Sequence, residues 1–207
     1  MTTRAEAKQL THDRLLSVAR ERLREAGASE LSLRDVARGA GITPSAVYKH
    51  FDNRDALLTA LLIGSYRDLA AALHAEPAAG GDAWTRRANR LRAWALEHPQ
   101  DFQLLYGTPV IGYAAPTETV EPAAAVADAF LELVDAVPEV PRPLTEQLTG
   151  AAAAAGSDPR ALAWTLASLS HLVGHLVLEL GGHFVGTAAP ADNLWNWIVA
   201  GQQAHAA

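Results

Sequence analysis

Residues 32–54 read Ser-Leu-Arg-Asp-Val-Ala-Arg-Gly-Ala-Gly-Ile-Thr-Pro-Ser-Ala-Val-Tyr-Lys-His-Phe-Asp-Asn-Arg, and this stretch decides the fold. Ser32 with Asp35 three residues later forms a capping-box pattern, which predicts the start of a short helix. Gly41 supplies the backbone freedom that a tight turn needs. Pro44 follows a threonine, and that pair is typical of the cap and first position of a helix. The stretch therefore predicts two short helices around a turn, followed by the start of a third.

The second of these helices has a polar outward face. Val47 and Phe51 have the spacing of inward-facing residues. The outward side chains are all hydrogen-bonding or cationic: Thr43, Ser45, Tyr48, Lys49 and His50. A helix pair that only packs does not need so many donors on so short a face. The pattern indicates a helix-turn-helix, whose second helix lies in the major groove of DNA.

Four short segments resemble the TetR family of one-component transcriptional regulators. They are 33–37 (Leu-Arg-Asp-Val-Ala), 40–43 (Ala-Gly-Ile-Thr), 47–51 (Val-Tyr-Lys-His-Phe) and 53–57 (Asn-Arg-Asp-Ala-Leu). The Tyr-x-His-Phe pattern and the capped helix after it make the resemblance specific. It implies an all-α protein in which a three-helix head is joined to a larger helical bundle that binds a ligand and dimerises.

The motif and the resemblance together give nine candidate DNA contacts. They are Ser32, Arg34, Thr43, Pro44, Ser45, Tyr48, Lys49, His50 and Arg54. Because the N-terminal residues of the second helix meet base edges, Thr43 and Ser45 can bond to a base or a phosphate there. Pro44 offers an apolar contact, for instance to a thymine methyl group.

The remaining candidates divide into residues that contact phosphate and residues that can contact a base. The resemblance implies phosphate contacts for Tyr48, His50 and Arg54, which fix register without reading sequence. It also places Arg34 within reach of a base, and Lys49 can reach guanine or phosphate. Two alternatives stay open, since Tyr48 can be partly core and Arg34 can pair with a nearby acid.

Composition limits the class of protein. The 207 residues suffice for one or two domains with a sizeable core. There is no cysteine, which removes disulfides and thiolate metal sites. The first residues carry charge without an apolar stretch, and uninterrupted apolar runs fall short of a membrane span. We therefore expect a soluble cytoplasmic protein without a signal peptide, and we predict no cofactor and no membrane partner.

Charge is divided unevenly along the chain, whose net charge is −6. Residues 1–56 hold ten Lys and Arg against eight Asp and Glu, whereas residues 57–207 hold seven against fifteen. Phosphate neutralisation drives the affinity of unspecific nucleic-acid binders, which are usually strongly basic. A mildly basic head on an acidic body suits a selective binder. We therefore predict a DNA-binding domain at 1–56 and a ligand-binding and dimerisation domain at 57–207.

Cap and breaker residues predict nine or ten helices and no strand. We expect the first helix to be capped by Thr11 and closed by Gly27, and a long fourth helix to be capped by Asn53. Further helices are expected from Asp82 to His98 and over 99–106. A Gly- and Pro-rich loop follows at 107–116.

The rest of the body is also predicted to be helical. One helix is expected over 122–137, and prolines enclose a loop after it. The alanine-rich stretch 151–155 can be helical or mobile. A long apolar helix follows from Asp158 to about Leu180, and a last helix opens at 190–192. Apolar residues on several faces of the last two helices predict that they form a homodimer interface.

The body resembles a TetR subgroup that is named for a Trp-His-Gly signature in its penultimate helix. Residues 99–116 and 178–184 are similar to that subgroup's C-terminal domain, and Gly174 matches the signature glycine. Val173 stands where the signature histidine would be, and Leu169 where the tryptophan would be. No role of that histidine can therefore be carried over.

The penultimate helix also contains a stripe of ionisable residues at a spacing of four: His171, His175, Glu179 and His183. The stripe superficially suggests a metal site. However, a spacing of four drifts by about 40° per step, and two glycines should end the helix before His183. Packing or pocket-lining is the simpler explanation, and we predict no metal site.

Aromatic residues of the body are candidates for an apolar ligand pocket, although aromatics at helical spacing are more often ordinary core. The predicted lining consists of Trp94, Phe102, Tyr106, Tyr113, Phe130, Trp164, His171 and His175. The ligand is expected to be small and apolar or amphipathic.

The sequence thus predicts a transcriptional regulator, most simply a homodimeric repressor released from a pseudo-palindromic DNA operator by that ligand. Two other classes of protein are the alternatives. An enzyme on a helical bundle would need a nucleophile–base or metal constellation, and the only ionisable cluster is the histidine stripe. A purely architectural DNA binder conflicts with the acidic body.

Overall fold

The computed structural model describes residues 3–75, 81–135 and 139–203. Within these ranges the chain forms α-helices and two short 3-10 turns, and no strand. The helices are α1 (Arg4–Ala26), α2 (Leu33–Gly39), α3 (Pro44–Val47), α4 (Arg54–His74), α5 (Ala83–Glu97), α6 (Pro99–Tyr106), α7 (Val120–Leu131), α8 (Arg142–Ala154), α9 (Pro159–Leu180) and α10 (Asp192–Gln203). The predicted all-α class is confirmed.

The chain packs as two compact units. The head unit comprises Met1–Ser65 and Gln100–Val120, and the body unit comprises Tyr66–Pro99 and Glu121–Ala207. This division describes packing, so the functional boundary between residues 56 and 57 stays a prediction.

The head unit has its own apolar core. Leu15 of α1, Val36 of α2, Val47 of α3 and Leu57 of α4 are fully buried in one cluster. Leu104, Val110 and Tyr113 pack against this cluster and are partly buried. They come from Gln100–Val120, the second stretch of chain in the head unit. The Tyr113 and Thr59 hydroxyls lie 3.0 Å apart, which ties that segment to α4. The loop at 107–116 is thus part of the head unit, a placement that residue spacing did not indicate.

Predicted caps account for several helix starts. The Asn53 side chain accepts a hydrogen bond from the Ala56 amide at 2.8 Å. The Asp82 carboxylate accepts from the Thr85 amide at 2.9 Å, and the Asp158 carboxylate accepts from the Arg160 amide at 2.7 Å. These bonds satisfy amides that lack a partner within their own helix. The predicted starts of α4, α5 and α9 are confirmed.

Other predicted boundaries were wrong. Helix α1 begins at Arg4 with a capping box between Thr3 and Glu6. Thr11 lies inside that helix and donates its hydroxyl to the Ala7 carbonyl at 2.9 Å, a local bond that a threonine can make mid-helix. The helix predicted over 122–137 is α7, which begins at Val120 and ends at Leu131. The residues at 136–138 lie outside the described ranges.

The body unit is built around large aromatic side chains. Trp84 is buried, with ring centroids 5.1 Å from Phe130 and 4.5 Å from Trp164. Trp195 of α10 is also buried and donates its indole N–H to Asn89 of α5 at 2.8 Å. Burial of such large rings is the main apolar contribution to the unit.

Helices α4 and α9 are long and apolar enough, by length and composition, to cross a membrane. Half of each apolar window is buried within the protein, as in the core helices of soluble proteins. Neither helix is an uninterrupted apolar run, since α4 contains Arg67 and Asp68 and α9 contains His171 and His175. The finding is weak evidence for a membrane segment.

Candidate nucleic-acid interface

The turn between α2 and α3 has the predicted construction. Gly41 has a φ of 66°, in the left-handed region that glycine adopts readily. The Ile42 amide donates to the Ala37 carbonyl at 3.0 Å and closes the turn. Val47 and Phe51 are buried, so the packed side of α3 is the one predicted. Helix α3 itself is only four residues long.

The outward side of α3, together with its cap Thr43 and the turn at 48–50 that follows it, is available to a partner. Thr43, Pro44, Ser45 and Lys49 are exposed, and the Tyr48 side chain is 51% exposed. Thr43 makes no side-chain capping bond, and its hydroxyl lies 3.0 Å from that of Ser45. Thr43 thus stands at the predicted N-cap position and Pro44 at the first helical position, but the Thr43 hydroxyl makes no capping bond because it lies against the Ser45 hydroxyl. Four side chains with donors or acceptors thus remain on one solvent-facing surface: Thr43, Ser45, Tyr48 and Lys49.

Ser32 and Arg34 lie at the start of α2. The Ser32 hydroxyl accepts from the Asp35 amide at 3.1 Å and donates to the Asp35 carboxylate at 2.6 Å. That hydrogen bond is the main cause that lowers the pKa of Asp35. The carboxylate meets the serine hydroxyl and not its backbone amide, so the capping box is only half formed. Asp35 also pairs with Arg38. Arg34 is exposed and, within the described ranges, pairs with no acid.

His50 is half buried at the end of the short helix. Its Nδ1 is buried and has no hydrogen-bond partner among the described residues. Burial lowers its pKa below the ordinary 6.5, and electrostatic interactions with His12, Lys8 and Lys49 lower it further. A phosphate bound beside this imidazole would be attracted by the neighbouring lysines. Its negative charge would also stabilise the imidazolium form of His50.

Arg54 has a structural role that the sequence did not indicate. Its Nε donates to the Leu31 carbonyl at 2.9 Å, and its Nη2 donates to the Ala28 carbonyl at 2.7 Å and the Ser29 carbonyl at 3.1 Å. The side chain thus fixes the 3-10 turn before α2 to the start of α4. No sequence signal marks such a bond, since its acceptors are main-chain carbonyls. A phosphate contact by Arg54 stays a prediction.

The predicted pocket residues are divided between the two units. Phe102, Tyr106 and Tyr113 belong to the head unit, where Phe102 is fully buried. The other five belong to the body unit: Trp94, Phe130, Trp164, His171 and His175. Phe130 and Trp164 both contact Trp84, so they lie in one aromatic cluster.

One hollow on the body surface involves a predicted pocket residue. It has a volume of about 470 Å³ and is lined by α9 and α10 through His171, Trp197, Ile198, Ala200, Gly201 and Gln202. Its position coincides with the helices predicted to form the dimer interface. It does not gather the aromatic residues predicted to line a ligand site.

The histidine stripe of α9 leads into a partly buried ionic network. Arg92 of α5 donates to both carboxylate oxygens of Glu179, at 3.0 and 2.6 Å, and to Asp192 of α10 at 2.8 Å. His175 is buried beside Glu179 with 3.4 Å between Nε2 and Oε2. This contact is at the long limit, and neither ring nitrogen has a hydrogen-bond partner in the described part of the chain.

The stripe does not converge on one point. His171 and His183 are exposed, and α9 ends at Leu180, as the two glycines predicted. No group of three potential metal ligands occurs within the described ranges. The network instead joins α5, α9 and α10 by charge-assisted hydrogen bonds.

Comparison with known families accounts for both units. Residues 15–61 match the family model described as bacterial regulatory proteins of the tetR family. Residues 84–201 match the model described as the tetracyclin repressor-like C-terminal domain. The chain belongs to the TetR family. The predicted family is therefore confirmed, whereas the Trp-His-Gly subgroup stays a prediction.

Individual relatives agree with this TetR assignment. The HTH-type transcriptional regulator Rv1816 of Mycobacterium tuberculosis is 37% identical over 139 residues, which are 64% of this chain and 59% of Rv1816. The match thus spans about three-fifths of the curated relative. The family and these relatives are transcriptional regulators and not enzymes.

Solved structures share the fold over almost the whole chain. The crystal structure of SCO4313 has a TM-score of 0.83 at 33% identity, covering 97% of this chain and 98% of SCO4313. A protein with unknown function from Rhodococcus sp. RHA1 has a TM-score of 0.67 at 28% identity, covering 95% and 96% of the two chains.

Proposed function

We propose that this TetR-family protein is a homodimeric transcriptional repressor that binds a pseudo-palindromic DNA operator and is released by a small-molecule ligand. The observation that carries the proposal is the exposed polar face of α3, on a helix whose opposite side is buried. An exposed row of donors beside a Gly41 turn is the geometry by which a helix-turn-helix enters the major groove.

The proposed DNA contacts divide by chemistry. Thr43, Ser45 and Lys49 are exposed and can reach base edges or phosphate. Tyr48 and His50 are proposed phosphate contacts that set register. Arg34 is exposed and proposed to reach a base. Ser32, Pro44 and Arg54 complete the proposed surface.

The proposed dimer uses α9 and α10. Leu162, Leu172 and Leu176 on one side of α9 are buried, whereas Leu166 is 41% and Leu178 is 43% exposed. On α10, Trp197 is 73% exposed. A helix that is apolar on both a buried and an exposed face is expected to meet a second partner. Two-fold symmetry of the dimer would be mirrored in the operator.

Ligand control is proposed from the body's aromatic clusters. An apolar or amphipathic ligand that prefers one arrangement of the body helices would bias the spacing of the two heads in the dimer. Ligand and DNA would then oppose each other through a coupling free energy of about 1–3 kcal/mol. The expected location is the cytoplasm, where such DNA is found.

A mobility-shift titration tests the proposal. The purified protein is expected to shift a duplex taken from the DNA upstream of its own coding sequence, and not a scrambled duplex of equal length. Small apolar compounds are then added to the complex, and at least one is expected to release the DNA. If the upstream duplex and the scrambled duplex bind equally at 0.15 M salt, the repressor proposal is wrong.

A further inference from the structure

Helix α1 continues well beyond the core that it helps to build. It begins at Arg4, yet its first buried side chain is Leu15, so about three turns carry no buried residue. The extension is nevertheless capped at its start. The Thr3 amide donates to the Glu6 carboxylate at 2.7 Å, and the Glu6 amide donates to the Thr3 hydroxyl at 3.2 Å.

The charges of this extension are segregated by face. Helical residues turn by about 100° each, so Arg4, Lys8 and His12 lie within about 80° of one another around the axis. Leu15 and Ala19, the fully buried residues that follow, fall in the same arc. The cationic stripe is therefore the outward continuation of the helix's packed side.

The carboxylates lie on the opposite side. Glu6 and Asp13 are about 180° from Arg4 around the helix axis. Glu6 is engaged in the cap, and Asp13 accepts a hydrogen bond from Gln9 at 2.8 Å. Among the described residues, neither Arg4 nor Lys8 has an acidic partner within ion-pair distance, and both are exposed. A merely solvated helix face would mix the two signs of charge, as α1 does further on with Arg22 and Glu25.

The stripe begins beside His50 and Phe51, which follow α3. The His12 ring stacks on Phe51 with centroids 4.8 Å apart, and it lies 6.1 Å from the His50 ring. Lys8 is one turn further out on the same face. Its charge is among those that lower the pKa of His50, which places it on the same side of the head unit as that proposed phosphate contact.

We infer that Arg4 and Lys8 bind the phosphate backbone of the operator outside the major-groove contact, with His12 joining this stripe to His50. The inference rests on the proposed function. Arg4 and His12 are separated by about 12 Å along the helix, which matches three to four phosphates of one strand. Such contacts add affinity without reading bases.

The test compares variants on DNA that the wild-type protein has itself selected from a random-sequence duplex library. The affinity of wild type and of the Arg4→Gln/Lys8→Gln variant is measured by fluorescence anisotropy between 0.05 and 0.3 M KCl, conditions in the usual range for counterion release. Arg67→Gln, an exposed cation of the body unit, is the matched control. Glutamine has nearly the helix propensity of lysine and arginine, so α1 should persist.

The double variant is expected to bind about tenfold or more weakly at 0.1 M salt, and its slope of log K against log salt should be less steep by about 0.9 for each contact removed. Lys8→Arg should retain the wild-type slope, as should Arg67→Gln. Trimming about four flanking base pairs from each end should cost the wild type affinity and leave the double variant unaffected.

Two results distinguish the failures. If the wild type selects no sequence from the library, the proposed function fails. If it selects one and the double variant keeps the wild-type affinity and salt slope, only this inference is overturned. Circular dichroism confirms in each case that the variant is folded.

Discussion

At the scale of single residues, Tyr48 offers a clean test of a phosphate contact. Its side chain is half exposed on the outer face of the head unit, so Tyr48→Phe removes a hydroxyl without opening the core. Hydrogen bonds to charged groups contribute about 1.5–3 kcal/mol, which is tenfold or more in affinity. We expect that loss on every duplex alike, because phosphate carries no base information. Competition binding against a set of single-base operator variants measures this loss of affinity for each duplex. A change in base preference at any position would contradict the phosphate assignment of Tyr48.

His50 gives DNA binding a predictable pH dependence. In the free protein, burial and neighbouring cations keep its pKa below 6.5, so the ring is neutral at pH 7. A bound phosphate would raise that pKa, and the complex would therefore take up a proton. Affinity should accordingly rise as pH falls below about 6.5. Anisotropy titrations from pH 8 to 5.5 should show this rise in the wild type and a smaller one in His50→Gln; equal curves would exclude His50 as the titrating contact.

Residue types in the motif were informative because each has a local physical role. Gly41, Val47 and Phe51 could be placed from the sequence, since a tight turn and a two-sided helix constrain their neighbours. The bonds of Arg54 to main-chain carbonyls could not be predicted, because any residue supplies a carbonyl. The N-cap position of Thr43 could also be predicted, but not the contact of its hydroxyl with Ser45, because that contact depends on side-chain geometry.

At the scale of helices, the buried His175 predicts how the body unit responds to acid. Burial is the main cause that lowers its pKa, opposed by Glu179 and assisted by Arg92 and His171; Asp192 completes the charges of this network. An unfolded histidine titrates near 6.5 and a folded His175 at lower pH, so the unfolded state gains the proton first. Stability should therefore be full above about pH 6.5 and decline as pH falls toward the folded pKa.

Urea unfolding at several values between pH 8 and 5 measures this decline. The slope from one histidine is at most about 1.4 kcal/mol per pH unit. The hydrogen bond from Arg92 lowers the pKa of Asp192, so that carboxylate titrates below this window and does not obscure it. His175→Gln should flatten the profile, whereas His171→Gln, which changes an exposed ring, should not. Parallel profiles for wild type and His175→Gln would show that another group controls the acid response.

Helix starts that a single capping side chain marks could be predicted from sequence. Such a cap accepts a hydrogen bond from an amide two or three residues later, as Asn53, Asp82 and Asp158 do. Both partners lie close together in the sequence, so the bond can be predicted from it. The first helix shows the limit of this reasoning. Thr3 and Thr11 are both plausible caps, and the capping box with Glu6 favours the earlier one. The roughly two extra turns that result carry Arg4 and Lys8 of the cationic stripe, so the misplaced start also concealed a candidate interface.

At the scale of the whole molecule, the exposed apolar surface of α9 and α10 predicts a homodimer. A charge at Leu178, which is 43% exposed on α9, should disrupt that contact while leaving the buried leucines in place. Leu178→Arg is therefore expected to be a folded monomer by light scattering at micromolar concentration, and the wild type a dimer. Leu144→Arg, on a partly exposed leucine of α8, is the control and should stay dimeric. A monomeric wild type would overturn the prediction.

The return of residues 100–120 to the head unit could not be predicted from sequence. Helical periodicity gives the type of an element and its inward face, but it gives no partner for that face. Leu104 and Tyr113 are ordinary apolar residues whose packing on the head core depends on tertiary structure. The sequence-based division at residue 56 followed the charge asymmetry, which reports chemistry and not packing.

The central claim is that the exposed face of α3 recognises a DNA sequence. The most direct measurement is selection from a random duplex library by the wild type and by a Thr43→Ala/Ser45→Ala/Lys49→Ala variant, in which only exposed side chains change. The wild type is predicted to enrich a pseudo-palindrome with two half-sites, and the folded variant to enrich none. Enrichment of the same sequence by both proteins, or of none by the wild type, would contradict the claim.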